Sequence, residues 1–231
     1  MQVVSKTPER IIVRAEMNYS LANAVRRSID EVQTLAIDEV EFFKNDSALY
    51  DEYLAHRIGL VPLKTEAKMG AKTSVDLKIK KSGPCTIYSG DLEGNAKVVY
   101  KNMPLTILEK GQEIELVATA KLGTGLEHTK YVPGLGYYRS IIEVKSTHEI
   151  DKIVQESNSS IKPEKKGNRW LCDLNEAEID EIIKIDKEAV KDTNEILFFV
   201  ESFGQMDAET ILTNAIEVLD DNLEAFEKAL K

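Results

Sequence analysis

From Asp207 to Lys231 the chain reads DAETILTNAIEVLDDNLEAFEKALK. Apolar side chains recur at Ala208, Ile211, Leu212, Ala215, Ile216, Leu219, Leu223, Phe226 and Leu230, with acids and lysines between them. That spacing describes one face of an α-helix. At 1.5 Å per residue such a helix is about 35 Å long. With no later residues to lie over it, the stripe is buried either on its own domain or in an interface. What the protein does turns on what covers it.

Just upstream, EILFFVES (Glu195–Ser202) is a continuous apolar run, suited to a strand covered on both faces. The N-terminal end has the same style. Ile11, Val13, Ala15 and Met17 alternate with Arg14 and Glu16, which predicts a half-buried strand. Ser20 is placed to cap a following helix, LANAVRRSIDEV (Leu21–Val32). There Leu21, Ala22, Ala24, Val25, Ile29 and Val32 share one side, and Asn23, Arg26, Arg27, Asp30 and Glu31 the other. Two wide apolar arcs from a small terminal domain are hard to bury without a partner. Each large aliphatic side chain left in water forgoes about 1.5–3 kcal/mol.

The middle has another texture. TLAIDEVEFF (Thr34–Phe43) predicts a strand whose alternation breaks at Asp38, as at a bulge. A short helix is expected over Leu49–Ile58. Ser47 would cap it, Asp51 and Glu52 favour its positive end, and Gly59 would give a left-handed ending. Alternating runs then predict strands at Ser74–Lys80, Cys85–Tyr88, Lys97–Tyr100, Ile114–Ala120 and Tyr137–Lys145. LTILEKGQEIELVA reads as a hairpin turning at Lys110–Gly111, and SNSSIKPEKKGN (Ser157–Asn168) as a mobile linker. Asn175 with Glu178 has the spacing of a capping box. The fold expected is α+β with two domains. One is discontinuous, from residues 1–44 and 193–231; the other is a β-rich insert over 45–192.

Forty acids against thirty bases leave a formal charge of −10, which opposes an independent grip on DNA, where neutralised phosphates supply most of the affinity. The local exceptions, Arg26–Arg27 and Lys162–Lys166, read as solvated faces. No apolar run is long enough to span a bilayer, and the first residues lack the pattern of a signal peptide. Two distant cysteines, Cys85 and Cys172, fit a reducing cytoplasm and leave a disulfide between them open.

Catalytic patterns are weak. Ser47, Asp51 and His56 contain the residue types of a triad, but sequence proximity is not a shared site and no nucleophile elbow is present. An acid/base hydrolase built on carboxylates near His56 is the remote alternative. His56 reads as structural. His128 reads equally as a locally satisfied loop histidine or as a contact to a neighbouring subunit, and His148 as exposed. No C-x-x-C or H-x-x-x-H pattern offers metal ligands.

Four blocks carry a resemblance. They are LANAVRRSIDEVQTLAIDEVEF, DEYLAHRIGLVPL (Asp51–Leu63), KLGTGLEHTKYVPG (Lys121–Gly134) and FFVESFGQMDAETILTNAIEVL. In this order they resemble the alpha-like subunits of archaeal DNA-directed RNA polymerase, a family that also includes bacterial alpha and the eukaryotic alpha-like subunits. The resemblance implies a dimerisation domain made from both termini, an inserted domain, and a non-catalytic role as an assembly platform for transcription. It implies pairing with the small subunit L, and further contacts to subunits N and P and the second-largest catalytic subunit. The implied pairing face comprises Leu21, Ala24, Val25, Ile29 and Val32 of the first helix. From the last helix it takes Ile211, Leu212, Ala215, Ile216, Leu219, Leu223 and Phe226. Other-subunit contacts are expected at Arg26, Arg27, Asp51, Glu52, His56, Arg57 and His128. A homodimer of the bacterial alpha type is the alternative, disfavoured because no linker and DNA-binding domain follow the last helix. Some family members hold an iron–sulfur cluster in an extra region of the insert. Here the corresponding stretch, 147–191, offers only Cys172, against the four thiolates usual for a cluster. A reduced extra region without cluster or zinc is expected.

Overall fold

The computed structural model describes residues 1–66, 69–70 and 73–231. In chain order it begins with β1 (Gln2–Lys6), β2 (Arg10–Glu16), α1 (Tyr19–Ser28), β3 (Thr34–Asn45) and α2 (Asp51–Gly59). The middle holds β4 (Ser74–Ser82), β5 (Cys85–Tyr88), β6 (Glu93–Gly94), β7 (Pro104–Leu108), β8 (Glu113–Gly123) and β9 (Gly134–Lys145). Then come α3 (His148–Glu156), β10 (Glu164–Lys166), β11 (Arg169–Cys172), α4 (Glu176–Ile185), β12 (Val190–Ser202) and α5 (Ala208–Ala229).

The apolar run EILFFVES lies inside a six-stranded sheet of order β1-β2-β12-β9-β11-β10, with antiparallel pairing throughout. Its side chains alternate between two cores. Ile196, Phe198 and Val200 face α1 and α5, while Leu197 and Phe199 pack with Ile12, Ile141, Ile161 and Leu171 on the other face. Both faces being dry explains why the run is apolar without a break. The same arrangement corrects the reading of β2 as half-buried. Ile11 and Val13 belong to the helix side and Ile12 to the other, so both faces of the strand are covered. Strand β1 went unread at the sequence level.

The second sheet has the order β3-β8-β4-β6, accompanied by a β5-β7 ribbon. Leu54 and Ile58 of α2 pack into its core with Leu35, Ile37, Leu77 and Leu116. The register of β3 against β8 shifts between Ile37 and Glu39, so the bulge expected at Asp38 is there. The hairpin expected at Lys110–Gly111 is not. Gly111 turns the chain with φ +83°, but β7 pairs with β5, and β8 pairs with β3 and β4. The stretch 97–100 contributes only an isolated bridge, Leu63 to Val98.

Strand β3, expected among the terminal elements, lies in the second sheet, and β9, expected in the insert, lies in the first. Residues 147–191 build a small core of their own on β9, with Ile150 and Val154 of α3, Ile182 of α4, Cys172 and Leu174. Asn175 and Glu178 form the expected capping box of α4. The stretch 157–168, expected as a mobile linker, contains the short strand β10 and packs on the chain. Ile161 is buried, the backbone N–H groups of Ser160 and Ile161 donate to the Asp173 carboxylate, and Gly167 (φ +60°) turns β10 onto β11. Asp151 gathers Ser146 Oγ, Trp170 Nε1 and Lys165 Nζ at 2.7–3.0 Å, and the Trp170 and Ser146 hydrogen bonds hold its carboxyl down to about 2. Both cysteines are free, which closes the question of a disulfide between them in this fold. Cys85 is half-buried in β5 and Cys172 is buried. A thiol reagent such as Ellman's is therefore expected to titrate one sulfhydryl per native chain quickly, and the second only on unfolding. Two fast thiols would contradict the packing of β11.

Candidate subunit interface

The first helix begins one turn after β2 ends. Asn18, not Ser20, is its cap: the Asn18 Oδ1 accepts the N–H of Leu21 at 2.8 Å. The hydrogen bond from Met17 N to Asn194 O keeps the chain in the sheet until residue 17, which leaves Asn18 at the exit. The helix closes at Ser28 and continues as a 3-10 turn over Ile29–Glu31, so Val32 is already extended. Most of its apolar arc faces inward. Ala22, Val25, Ile29 and Val32 lie in one core with Ile11, Phe198 and the start of α5. Of the α1 residues expected to meet a partner, Leu21 is exposed at 46% and Ala24 is half-buried; Val25, Ile29 and Val32 are the chain's own core.

The last helix divides in the same way, along its length. Ala208, Ile211, Leu212 and Ala215 are buried against the sheet and α1, which corrects their placement at an interface. Leu219 is half-buried at the edge of that core. Ile216 on the preceding turn is 42% exposed, and beyond Leu219 the side chains of Leu223, Phe226 and Leu230 are 58%, 64% and 71% exposed, every residue from Asp220 onward being in solvent. Asn222 Nδ2 donates to Glu31 at 2.9 Å. Further on, the ion pairs Lys228–Glu224 and Lys231–Glu227 run along the helix itself. An amphipathic helix whose apolar stripe continues past its own core presents a surface that favours association.

The second group of residues sits elsewhere. Arg26 donates to Asn23 Oδ1 one turn back, and Arg27 is exposed. In α2, Asp51 accepts from Asn45 Nδ2 at 2.7 Å, Arg57 donates to the carbonyl of Pro104, and Glu52 is exposed. Ser47 gives α2 no cap: its hydroxyl is taken by Asn45 Oδ1 at 2.7 Å. Nor is Gly59 left-handed; the chain continues helically into Leu60, whose N–H reaches His56 O and Ile58 O. With Ser47 and Asp51 both engaged by Asn45, no triad assembles around His56.

His56 and His128 do come together, on a cavity of about 220 Å³ that Asp38 and Lys130 also line. His128 caps its own turn, its Nδ1 accepting the N–H of Lys130 at 3.1 Å. The residue that sequence reading missed is Asp38. From the bulge of β3 its carboxylate accepts from Lys121, Lys130 and Tyr131 at 3.2–3.3 Å. Burial opposes its ionisation, but the hydrogen bonds from Lys121 and Lys130 outweigh it and hold the carboxyl below the ordinary range. Burial and the same carboxylate push the Tyr131 hydroxyl up to about 12. This network fixes the loop before β9 against β3.

An iron–sulfur cluster does not fit these residues. Cluster ligands are thiolates, and Cys172, the only cysteine in 147–191, is buried; burial, Asp173 and Glu178 push its thiol up to about 12. Among the described residues no three His, Cys, Asp or Glu side chains converge as metal ligands.

Comparison with known proteins places this geometry. A family model described as the RNA polymerase Rpb3/RpoA insert domain matches residues 39–149. DNA-directed RNA polymerase subunit Rpo3 of Pyrococcus horikoshii is 35% identical over 246 aligned positions, covering 95% of this chain and 93% of the relative. The Rpo3 subunits of Methanocaldococcus jannaschii and Halobacterium salinarum are 32% and 30% identical, each over 96% of this chain. An alpha-like fold, an insert matched to the Rpb3/RpoA type, and similarity along nearly the whole length agree, and the chain belongs to the Rpo3 family of archaeal DNA-directed RNA polymerase subunits.

Proposed function

We propose that this chain is the assembly platform of its polymerase. It is a non-catalytic, alpha-like subunit, and phosphodiester synthesis belongs to other chains. One observation carries the platform reading. The last helix is anchored by Ile211, Leu212 and Ala215 and then leaves the core with Ile216, Leu223, Phe226 and Leu230 still unsheltered. Burying such side chains against a second helix pair is worth about 1.5–3 kcal/mol each. The small subunit L, as the family resemblance implies, is the partner proposed for that face and for the exposed Leu21 of α1. Subunits N and P and the second-largest subunit are proposed to meet α2 and the loop carrying His128. The platform works in the cytoplasm, without metal, iron–sulfur cluster or sequence-specific DNA contacts of its own. No helix among the described residues is long and apolar enough to cross a membrane.

Co-expression with subunit L tests the pairing. A monodisperse one-to-one complex by light scattering is the expected result. A chain that stays monomeric with L present, or pairs with itself in preference, would refute the heterodimer.

A further inference from the structure

The exposed end of α5 carries charge as well as apolar surface, and the charge is placed beside the apolar line. In helical projection Ile216, Leu219, Leu223, Phe226 and Leu230 form that line. Along one flank run Glu217, Asp220, Glu224 and Glu227, all in solvent. Along the other run Val218, Asn222, Ala225 and Ala229, none of them charged. On that second flank Asn222 donates to Glu31 of the neighbouring turn at 2.9 Å, which brings a further acid to the edge.

From Glu217 to Lys231 five acids stand against two lysines. Lys228 lies 3.1 Å from Glu224, and Lys231 lies 2.6 Å from Glu227. These are i,i+4 pairs between side chains at least 60% exposed, so they hold the acids only weakly and leave the surplus in place.

The surplus bears on what covers the face. A second copy would present the same patch, as both members of an isologous pair do. Five acids would then meet five, between chains that each carry a formal charge of −10. Like charges oppose that encounter. A partner with a neutral rim gains the apolar contact and leaves the acids unanswered. A partner with a cationic rim gains both.

We infer that the polypeptide received by α5 carries a row of lysine or arginine side chains beside its own apolar helical line, facing Asp220, Glu224 and Glu227. That row draws it to α5 in preference to a second copy of this chain. The inference rests on the pairing with subunit L proposed above and states the chemistry of L's contact face. Rim charges in solvent act chiefly on the rate of encounter and on its salt dependence, so the association rate is the quantity to read.

The test follows association of the purified full chain with purified subunit L by biolayer interferometry. Salt is raised from about 0.01 M to about 1 M, which shortens the screening length from about 30 Å to about 3 Å. The association rate constant of the wild-type chain is expected to fall at least about tenfold. Asp220→Lys with Glu227→Lys should slow association about tenfold at the low-salt end and remove most of the salt response, with dissociation nearly unchanged. Asp180→Lys with Glu181→Lys makes the same change in net charge on exposed positions of α4, outside the α5 face, and should keep nearly the wild-type rate. Denaturant midpoints close to wild type identify both variants as folded, and the salt response of the wild type needs no substitution. A wild-type rate indifferent to salt, or equal slowing by the two variants, overturns the basic row and leaves the pairing with L standing. No association of the wild-type chain with L at any salt overturns the pairing itself.

Discussion

Replacing Leu223 and Phe226 together by aspartate is expected to leave the chain folded and to abolish the proposed pairing with subunit L. Both side chains are more than half exposed and belong to no core cluster. Within the single chain the double substitution costs little. Aspartate is a poorer helix former than leucine by a few tenths of a kcal/mol, and exposed positions usually change stability by about 0.5 kcal/mol or less. Nearby Asp220, Asp221, Glu224 and Glu227 add a further few tenths through like-charge spacing. A total of about 1 kcal/mol is the expected loss, read as a small shift in a denaturant midpoint. The interface loses far more. Two large apolar side chains forgo about 3–6 kcal/mol of burial, and carboxylates would have to be desolvated in their place. That corresponds to at least a hundredfold weaker association. Size-exclusion chromatography of the co-expressed pair reads it directly. If the variant elutes as an intact heterodimer with unchanged affinity, the exposed end of α5 is not the pairing surface.

The helix that carries this prediction was legible as a helix from its spacing alone. Which half is covered was not. Coverage depends on α1, whose ten residues give about 15 Å of helix against about 33 Å for the 22 residues of α5. A short helix shelters only part of a long one, and sequence periodicity is blind to that difference in reach. The capping box at Asn175 was legible because both partners lie within one turn. The caps proposed at Ser20 and Ser47 failed because an asparagine two residues earlier, Asn18 or Asn45, took the local hydrogen bond. At Gly111 the turn was visible, but strand partners are chosen over long range, and β7 found β5 in place of β8. The loop network of Asp38, Lys121, Lys130 and Tyr131 left no signal, since its members lie more than 80 residues from Asp38 in sequence.

Two isoleucines five residues apart on α5 provide the second large effect. Ile211→Ala is expected to cost the chain about 2–5 kcal/mol, the usual range for emptying a buried aliphatic site. Ile211 is fully buried, and its Cδ1 lies 3.1 Å from where a Cβ on Gly134 would stand, so the side chain fills the space above β9 that this glycine leaves. Neither the sheet below nor α1 beside it is free to collapse into the gap. Against a total stability of about 5–15 kcal/mol this is a severe loss, visible in the urea midpoint of the purified chain. Ile216→Ala, at a position 42% exposed, is expected to move that midpoint by about 0.5 kcal/mol or less. The order reverses when association is measured. Ile216→Ala should weaken the proposed complex with L by about tenfold, because in that reading the partner and not the chain provides its burial. Ile211→Ala should leave the affinity of the folded fraction unchanged. A buried anchor and an exposed contact on one helix thus separate folding from assembly. Equal effects of both substitutions on the midpoint would mean that α5 is sheltered along its whole length by the chain itself.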